Sequence, residues 1–351
     1  MNTNIVFTRD CAVGLKEKLE DVPFASLYLL ADSNTSRFCL GHLGLDMFLV
    51  ARRMVIPAGE GNKTLDTVAR IWQWLSVSGA RRNAVLLNVG GGVVSDMGGF
   101  AASCFKRGIR CVNVPTTLLA QVDASVGGKT GIDFNGLKNE IGTFSFPQWV
   151  LVDNGFLATL PFRQVLSGFA EMLKHALLAG NGHLEELLRA DLSQVAEEPF
   201  LHLIEKSVAV KAAIVERDPE EQGVRKALNF GHTVGHAIES AAIAGGMEMY
   251  HGEAVAYGMV AELYLSVRKM GFDRQRYEAI RRFIQATYLP YVPVAGAEEL
   301  YGLMLHDKKN EREGVNFSLL RAPGLFEVNC YCSREEILEA LKEISHASDN
   351  S

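Results

Sequence analysis

His232 and His236 stand four residues apart in His232-Thr233-Val234-Gly235-His236. On a helix this spacing puts two imidazoles one turn apart on the same face, a geometry that chelates a divalent cation. The glutamate of H-E-x-x-H is missing, which argues against a zincin protease. His251 opens His251-Gly252-Glu253, and Glu171 precedes Lys174 and His175 by one turn. A catalytic zinc takes three protein ligands and keeps one position open, so this set holds more donors than one ion needs. Spacing alone points to His232, His236 and His251 as ligands and leaves the other groups to support them or to meet substrate. Lys211 falls in an apolar helical stripe with Phe200, Leu203, Ile204, Val208, Ile214 and Val215. A lysine there is costly unless it meets an anion; otherwise it sits at the edge and reaches for solvent.

A second chemistry is phosphate recognition. Asn88-Val89-Gly90-Gly91-Gly92-Val93-Val94-Ser95-Asp96 follows an apolar run and opens a helical one. Its glycines allow close backbone approach, and the N–H groups at a helix start favour a pyrophosphate. Read without a ligand, the segment is a tight strand-to-helix turn. Gly127-Gly128-Lys129-Thr130 resembles the end of a P-loop, but that motif needs glycine where Asp123 stands, which excludes a P-loop NTPase. Lys129 remains a good phosphate ligand. Glu60, three residues before Lys63, either hydrogen-bonds a ribose or caps the following helix.

These residues need elements to position them. Up to about residue 155, short apolar runs at 26–31, 53–57, 84–89, 110–115 and 149–153 read as strands, with helices at 65–77 and 98–105 and glycine-rich loops over 124–145. Alternating strand and helix implies a mostly parallel sheet. After residue 160 the apolar period becomes helical: 163–179, stopped by Gly180-Asn181-Gly182, then 199–216, 232–244, 251–269, 274–287 and 333–344. One hairpin, 315–320 with 325–328, turns at Pro323-Gly324. The expected architecture is a Rossmann-like α/β nucleotide-binding domain over 1–158 and a mainly helical domain over 159–351.

The chain has 351 residues, 48% hydrophobic and 22% charged, with a formal net charge of −6. That balance fits a globular protein and argues against nucleic-acid binding, which needs clustered lysine and arginine. No run reaches the ~18 apolar residues of a membrane helix, and the first residues lack a signal-peptide pattern. The 6 cysteines form no C-x-x-C pair, so idle thiols in a reducing cytosol are expected.

Taken together, 90–96, 114–131 (VPTTLLAQVDASVGGKTG), Lys138-Asn139, 160–175, 225–239, 251–259 and Asp307-Lys308-Lys309 resemble the 3-dehydroquinate synthases, over about residues 30 to 320. The resemblance implies an α/β nucleotide domain, a helical domain and a homodimer. It places a zinc ion, or cobalt in its stead, on Glu171, His232 and His251, and leaves His236 to substrate and proton movement. It places NAD against Asp32, Glu60, Lys63, Gly91, Gly92, Asp96, Thr116, Thr117, Asp123, Lys138, Thr159 and Leu160. Its substrate set is Arg107, Asp123, Lys129, Asn139, Lys174, Lys211, Glu221, Arg225, Asn229, His236 and Lys308, with Lys129, Lys174, Lys211, Asn229 and His236 carrying the catalysis and Arg107 supplied across the dimer. Two departures stand out: Ser95 replaces a usual glycine, and the 245–250 loop differs in length.

The implied reaction turns 3-deoxy-D-arabino-heptulosonate 7-phosphate into 3-dehydroquinate plus phosphate. It runs by transient oxidation with NAD, phosphate elimination, re-reduction and intramolecular aldol closure. A metal-dependent alcohol dehydrogenase shares the two-domain plan and the His-x-x-x-His helix, but needs no cluster of anion-binding cations. Another sugar-phosphate cyclase would change Asn139, Asn229, His236 or Lys308, and a non-catalytic nucleotide module would lose zinc ligands or lysines.

Overall fold

The computed structural model describes residues 4–20, 26–44, 52–135, 137–180, 182–288, 290–305 and 314–345. The chain forms two compact units: 1–161 with 191–212, and 162–190 with 213–351.

The first unit is built on a six-stranded sheet in the order β1-β8-β5-β4-β2-β3. Its strands are β1 (Asn4–Phe7), β2 (Leu27–Asp32), β3 (Arg52–Ile56), β4 (Val85–Gly90), β5 (Arg110–Pro115) and β8 (Trp149–Val152). Every pairing is parallel, with Leu27 opposite Val85 and Val85 opposite Arg110. Successive side chains point to opposite faces, and here both faces are covered. Leu27, Leu29, Val85, Leu87, Val112 and Leu151 pack with Cys11 and Leu15. On the other face Tyr28, Leu30, Leu86 and Cys111 pack with Val68, Ile71, Leu75 and Met97. Strands buried on both sides read as continuous apolar runs rather than alternating ones, which is why 84–89 stands out in the sequence.

Two expectations change. The helix after β4 starts at Gly92 and ends at Cys104, not at 98. The 124–145 segment is not loop: β6 (Lys129–Phe134) and β7 (Leu137–Phe144) form an antiparallel hairpin. Its frequent glycines hid the alternation that marks a strand.

In the second unit, helices Phe162–Ala179, His232–Ala244, Arg274–Thr287 and Arg334–Ser345 pack on the His251–Met270 helix, which also packs on β9 of the antiparallel hairpin of β9 (Val315–Ala322) and β10 (Leu325–Cys332). The His251–Met270 helix is buried from Gly252 through Ser266, as a helix at the centre of an all-helical layer must be.

Candidate active site

In the first unit the strand order reverses at β2 and β4: the chain runs outward from β2 to β3 on one side, and from β4 through β5 to β8 on the other. Ligands of open α/β sheets bind outside the carboxyl ends of the strands at such a switch. Of the residues expected around NAD, Asp32, Gly91 and Thr116 lie at the carboxyl ends of β2, β4 and β5. Asp32 closes β2, and its Oδ1 accepts the Thr35 N–H at 2.7 Å. Gly91 is the N-cap of the Gly92–Cys104 helix and has no side chain to cap it. A Cβ on Gly91 would lie 3.1 Å from Thr117 Cγ2, so the backbone is open only because the residue is glycine. Thr116 follows β5 and donates its N–H to the Gly90 carbonyl at 3.0 Å. Burial pushes the Cys39 thiol up, while hydrogen bonds to Thr116 and Thr159 pull it down. Thr159 precedes Leu160 in the turn after β8.

Glu60 is not a helix cap. The Leu65–Val77 helix is capped by Thr64, which accepts the Thr67 N–H at 3.3 Å, and Glu60 instead faces Lys63 at 3.8 Å. Lys63 is buried; its Nζ donates to Asp96 Oδ2 at 2.6 Å and to Asn139 Oδ1 at 2.5 Å. Asn139 and its neighbour Lys138 are exposed on the irregular stretch of β7 opposite the Ile132–Phe134 register shift, where a bulge re-aims side chains. Lys211 is 6% exposed and meets its anion: Nζ donates to Asp123 Oδ1 at 2.7 Å and to the Asp123 carbonyl at 2.6 Å. Lys129 opens β6 and is exposed. Arg107 is also exposed, and follows Lys106 with both residues at positive φ, 64 and 51 degrees.

The second unit gathers the metal-type donors. Glu171, from the Phe162–Ala179 helix, is fully buried. Its Oε1 lies 3.5 Å from His232 Nε2 and 3.5 Å from His251 Nε2, and the three ligand atoms all lie within 4.8 Å of one another. The His236 ring stands 5.3 Å from that of His232 and 5.8 Å from that of His251. Lys174 pairs with Glu171 one turn along the same helix, and His175 is buried beside it.

Each imidazole is oriented through its other nitrogen. His232 Nδ1 lies 3.1 Å from the Phe230 carbonyl; a carbonyl only accepts, so Nδ1 donates the proton and Nε2 presents its lone pair. His251 Nδ1 lies 3.3 Å from Glu239 Oε2. Burial holds His232 well below the usual histidine range, and Lys174 adds to this. Burial acts the same way on His251, but hydrogen bonds to Glu171 and Glu239 outweigh it and raise its pKa to about 9. A divalent cation and a proton compete for that imidazole.

The start of the His251–Met270 helix is clamped. Glu253 accepts the Tyr250 N–H at 2.9 Å and takes a bidentate pair from Arg163, 2.8 Å at both contacts. Three more expected substrate residues of this unit, Glu221, Arg225 and Asn229, lie on 218–229. Glu221, at φ 61, accepts from Asn229 Nδ2 at 2.7 Å. Arg225 is buried; its N–H donates to Asp218 Oδ2 at 2.9 Å and its Nη1 to the Pro219 carbonyl at 2.5 Å. Lys308 lies outside the described residues. Sequence reasoning missed Glu239, Glu253 and Arg163. Glu239 had a signal, because 232, 236 and 239 share one helical face.

Residues 53–167 match the family described as 3-dehydroquinate synthase N-terminal, and 168–310 the one described as 3-dehydroquinate synthase C-terminal. A 3-dehydroquinate synthase of Parabacteroides distasonis is 44% identical over 339 residues, 96% of each chain. One from Nitratiruptor sp. is 40% identical over 291 residues, 83% of this chain and 82% of that one. Among solved structures, a 2-epi-5-epi-valiolone synthase from Streptomyces hygroscopicus with NAD+ and Zn2+ bound superposes with a TM-score of 0.83 at 25% identity, covering 98% of this chain and 97% of that one. A glycerol dehydrogenase from Schizosaccharomyces pombe shares the fold at a TM-score of 0.68 and 16% identity, covering 98% and 89%.

Proposed function

We propose, for a chain that belongs to the 3-dehydroquinate synthase family, a division of labour in the lyase reaction that turns 3-deoxy-D-arabino-heptulosonate 7-phosphate into 3-dehydroquinate and phosphate. The observation that carries the reading is Glu171 Oε1 standing 3.5 Å from the Nε2 of both His232 and His251.

The donor set fits a zinc or cobalt ion. A tetrahedral site with bonds of ~2.0–2.1 Å spaces its ligand atoms about 3.4 Å apart, close to both observed separations. Two imidazoles and one carboxylate leave a fourth position for substrate. The switch point, the side-chain-free Gly91 cap and Asp32 suit a dinucleotide. When bound, the nucleotide supplies a hydride acceptor that is restored within the cycle, and the cation supplies Lewis acidity at a substrate hydroxyl.

The chain's own residues do the rest. Lys129 and Lys211 of the first unit, and Lys174 and Arg225 of the second, are the cations this reading assigns to a substrate that carries one phosphate and one carboxylate, and Lys138 is assigned to NAD. Lys63 and Asp96 keep the nucleotide side in register with Asn139. His236, beside both proposed histidine ligands, is placed to hold or move a proton. Asn229 and Glu221 present one hydrogen-bonded pair for hydroxyl groups. In this reading the first unit binds NAD, the second holds the metal, and the enzyme works as a homodimer in which Arg107 reaches the partner's site.

The test is phosphate release from the heptulosonate phosphate, with and without NAD and with a metal chelator. Release matched by dehydroquinate, abolished by chelator and free of net NADH, is expected. Accumulation of NADH with a simple alcohol, and no phosphate release, would replace this reading with a dehydrogenase.

A further inference from the structure

We infer that Glu262 is a positioning residue of the metal site, acting on His232 through the peptide between Phe230 and Gly231; the inference rests on the metal reading of Glu171, His232 and His251. The His232–Ala244 helix begins after Gly231, which sits at φ 80 and has no side chain with which to cap. No other residue fits there, because a Cβ would lie 2.6 Å from Met259 Cγ in a conformation that L side chains avoid. The N–H groups at this helix start are satisfied from another helix. Glu262, fully buried on the His251–Met270 helix, accepts the Gly231 N–H on Oε2 at 2.7 Å, and the Thr233 and Val234 N–H groups on Oε1 at 3.1 and 3.2 Å.

Capping does not by itself require a buried charge; a neutral side chain can do it. The carboxylate has a second consequence. The amide whose N–H meets Glu262 is the amide whose carbonyl accepts the His232 Nδ1 proton at 3.1 Å. Negative charge at the N–H end polarises that amide and strengthens its oxygen as an acceptor. The chain of contacts runs from Glu262 through the peptide to Nδ1, and so to the Nε2 that faces Glu171. Groups placed this way fix the tautomer and raise the basicity of a ligating imidazole. His251 has the same support directly, from Glu239. Both imidazoles are therefore backed by a carboxylate, one in contact and one through a peptide bond.

The test titrates zinc-depleted protein against a chromophoric chelator for the wild type, Glu262→Gln, Glu262→Asp and His232→Ala, with thermal melts fixing the folded fraction. Glu262→Gln keeps the shape but has one accepting atom in place of two. It is expected to bind zinc about 10–100-fold more weakly and to shift the visible absorption of the cobalt-loaded protein. Glu262→Asp, which keeps the charge, is expected to recover part of both. A folded Glu262→Gln with wild-type zinc affinity and cobalt spectrum overturns the inference even if its melting temperature falls, since capping alone then accounts for the carboxylate. If Glu262→Gln does not fold, Glu262→Asp decides, because its shorter side chain draws the carboxylate back from the Gly231 N–H: weakened affinity with a shifted cobalt spectrum supports the inference, and wild-type values of both overturn it. A wild type that takes up no zinc overturns the metal reading and this inference with it. Wild-type uptake, lost in His232→Ala but untouched at Glu262, overturns this inference alone.

Discussion

Lys63 is buried among acceptors, and its charge is set by them. Burial alone would lower its pKa, but Asp96 and Glu60 more than reverse that and lift it above 10.5. Burial raises the Asp96 carboxyl, against the pull of Lys63. A lysine raised on folding contributes stability that is fully present below its unfolded pKa and is lost as pH climbs through the folded one. A raised aspartate favours the fold only while protonated, so at neutral pH the ionised Asp96 is a cost that Lys63 offsets. Lys63→Met is therefore expected to cost ~2–3 kcal/mol at pH 7, less than a fully buried pair because Asp96 is partly exposed. The deficit should shrink on acidification as Asp96 takes up a proton, and the alkaline loss of stability above pH 10.5 should flatten. Melting curves of both proteins from acid to alkaline pH measure this, and a pH-independent difference would disprove the coupling.

At the scale of elements, the site depends on how closely the helices that carry Glu171 and His251 approach. Gly252 donates its N–H to Ser167 Oγ at 3.0 Å, and a Cβ on Gly252 would lie 2.0 Å from the Ser167 carbonyl oxygen. Backbone cannot yield as a side-chain tip can. Gly252→Ala is expected to cost about 3 kcal/mol and to lower zinc content with it, because His251 moves away from Glu171; a lowered melting point with full zinc content would separate the two effects. The same elements show what a sequence displays. The Leu65–Val77, His232–Ala244 and Arg274–Thr287 helices were legible to the residue, because amphipathic period and turn residues bound them. β1 was not, because four residues (Asn4–Phe7) become a strand only by pairing with β8. His232 and His251 announce themselves by type and spacing. Glu239 shows only through the helical face it shares with 232 and 236, and Glu262 not at all: on an amphipathic helix a glutamate reads as solvent-facing, and only the fold turns that carboxylate inward.

At the scale of the whole molecule, a chain of net charge −6 is read as handling a doubly anionic substrate, which requires its cations to be concentrated rather than numerous. Arg107 belongs to that set only if a second copy presents it. It is exposed, at positive φ, on a turn whose left-handed backbone is the kind of conformation that surrounding structure must hold in place. In a two-fold dimer each site would take its metal ligands from one protomer and Arg107 from the other. Arg107→Ala and His232→Ala should each be nearly inactive as pure proteins. Mixed by co-expression, about half the dimers pair the two variants, and one of the two sites in each then has both an intact metal triad and an intact Arg107. Phosphate release by the mixture should recover to about a quarter of the wild-type rate on that statistical pairing. Without subunit sharing, both variant chains carry a defect in their own site, and mixing restores nothing beyond the average of the two.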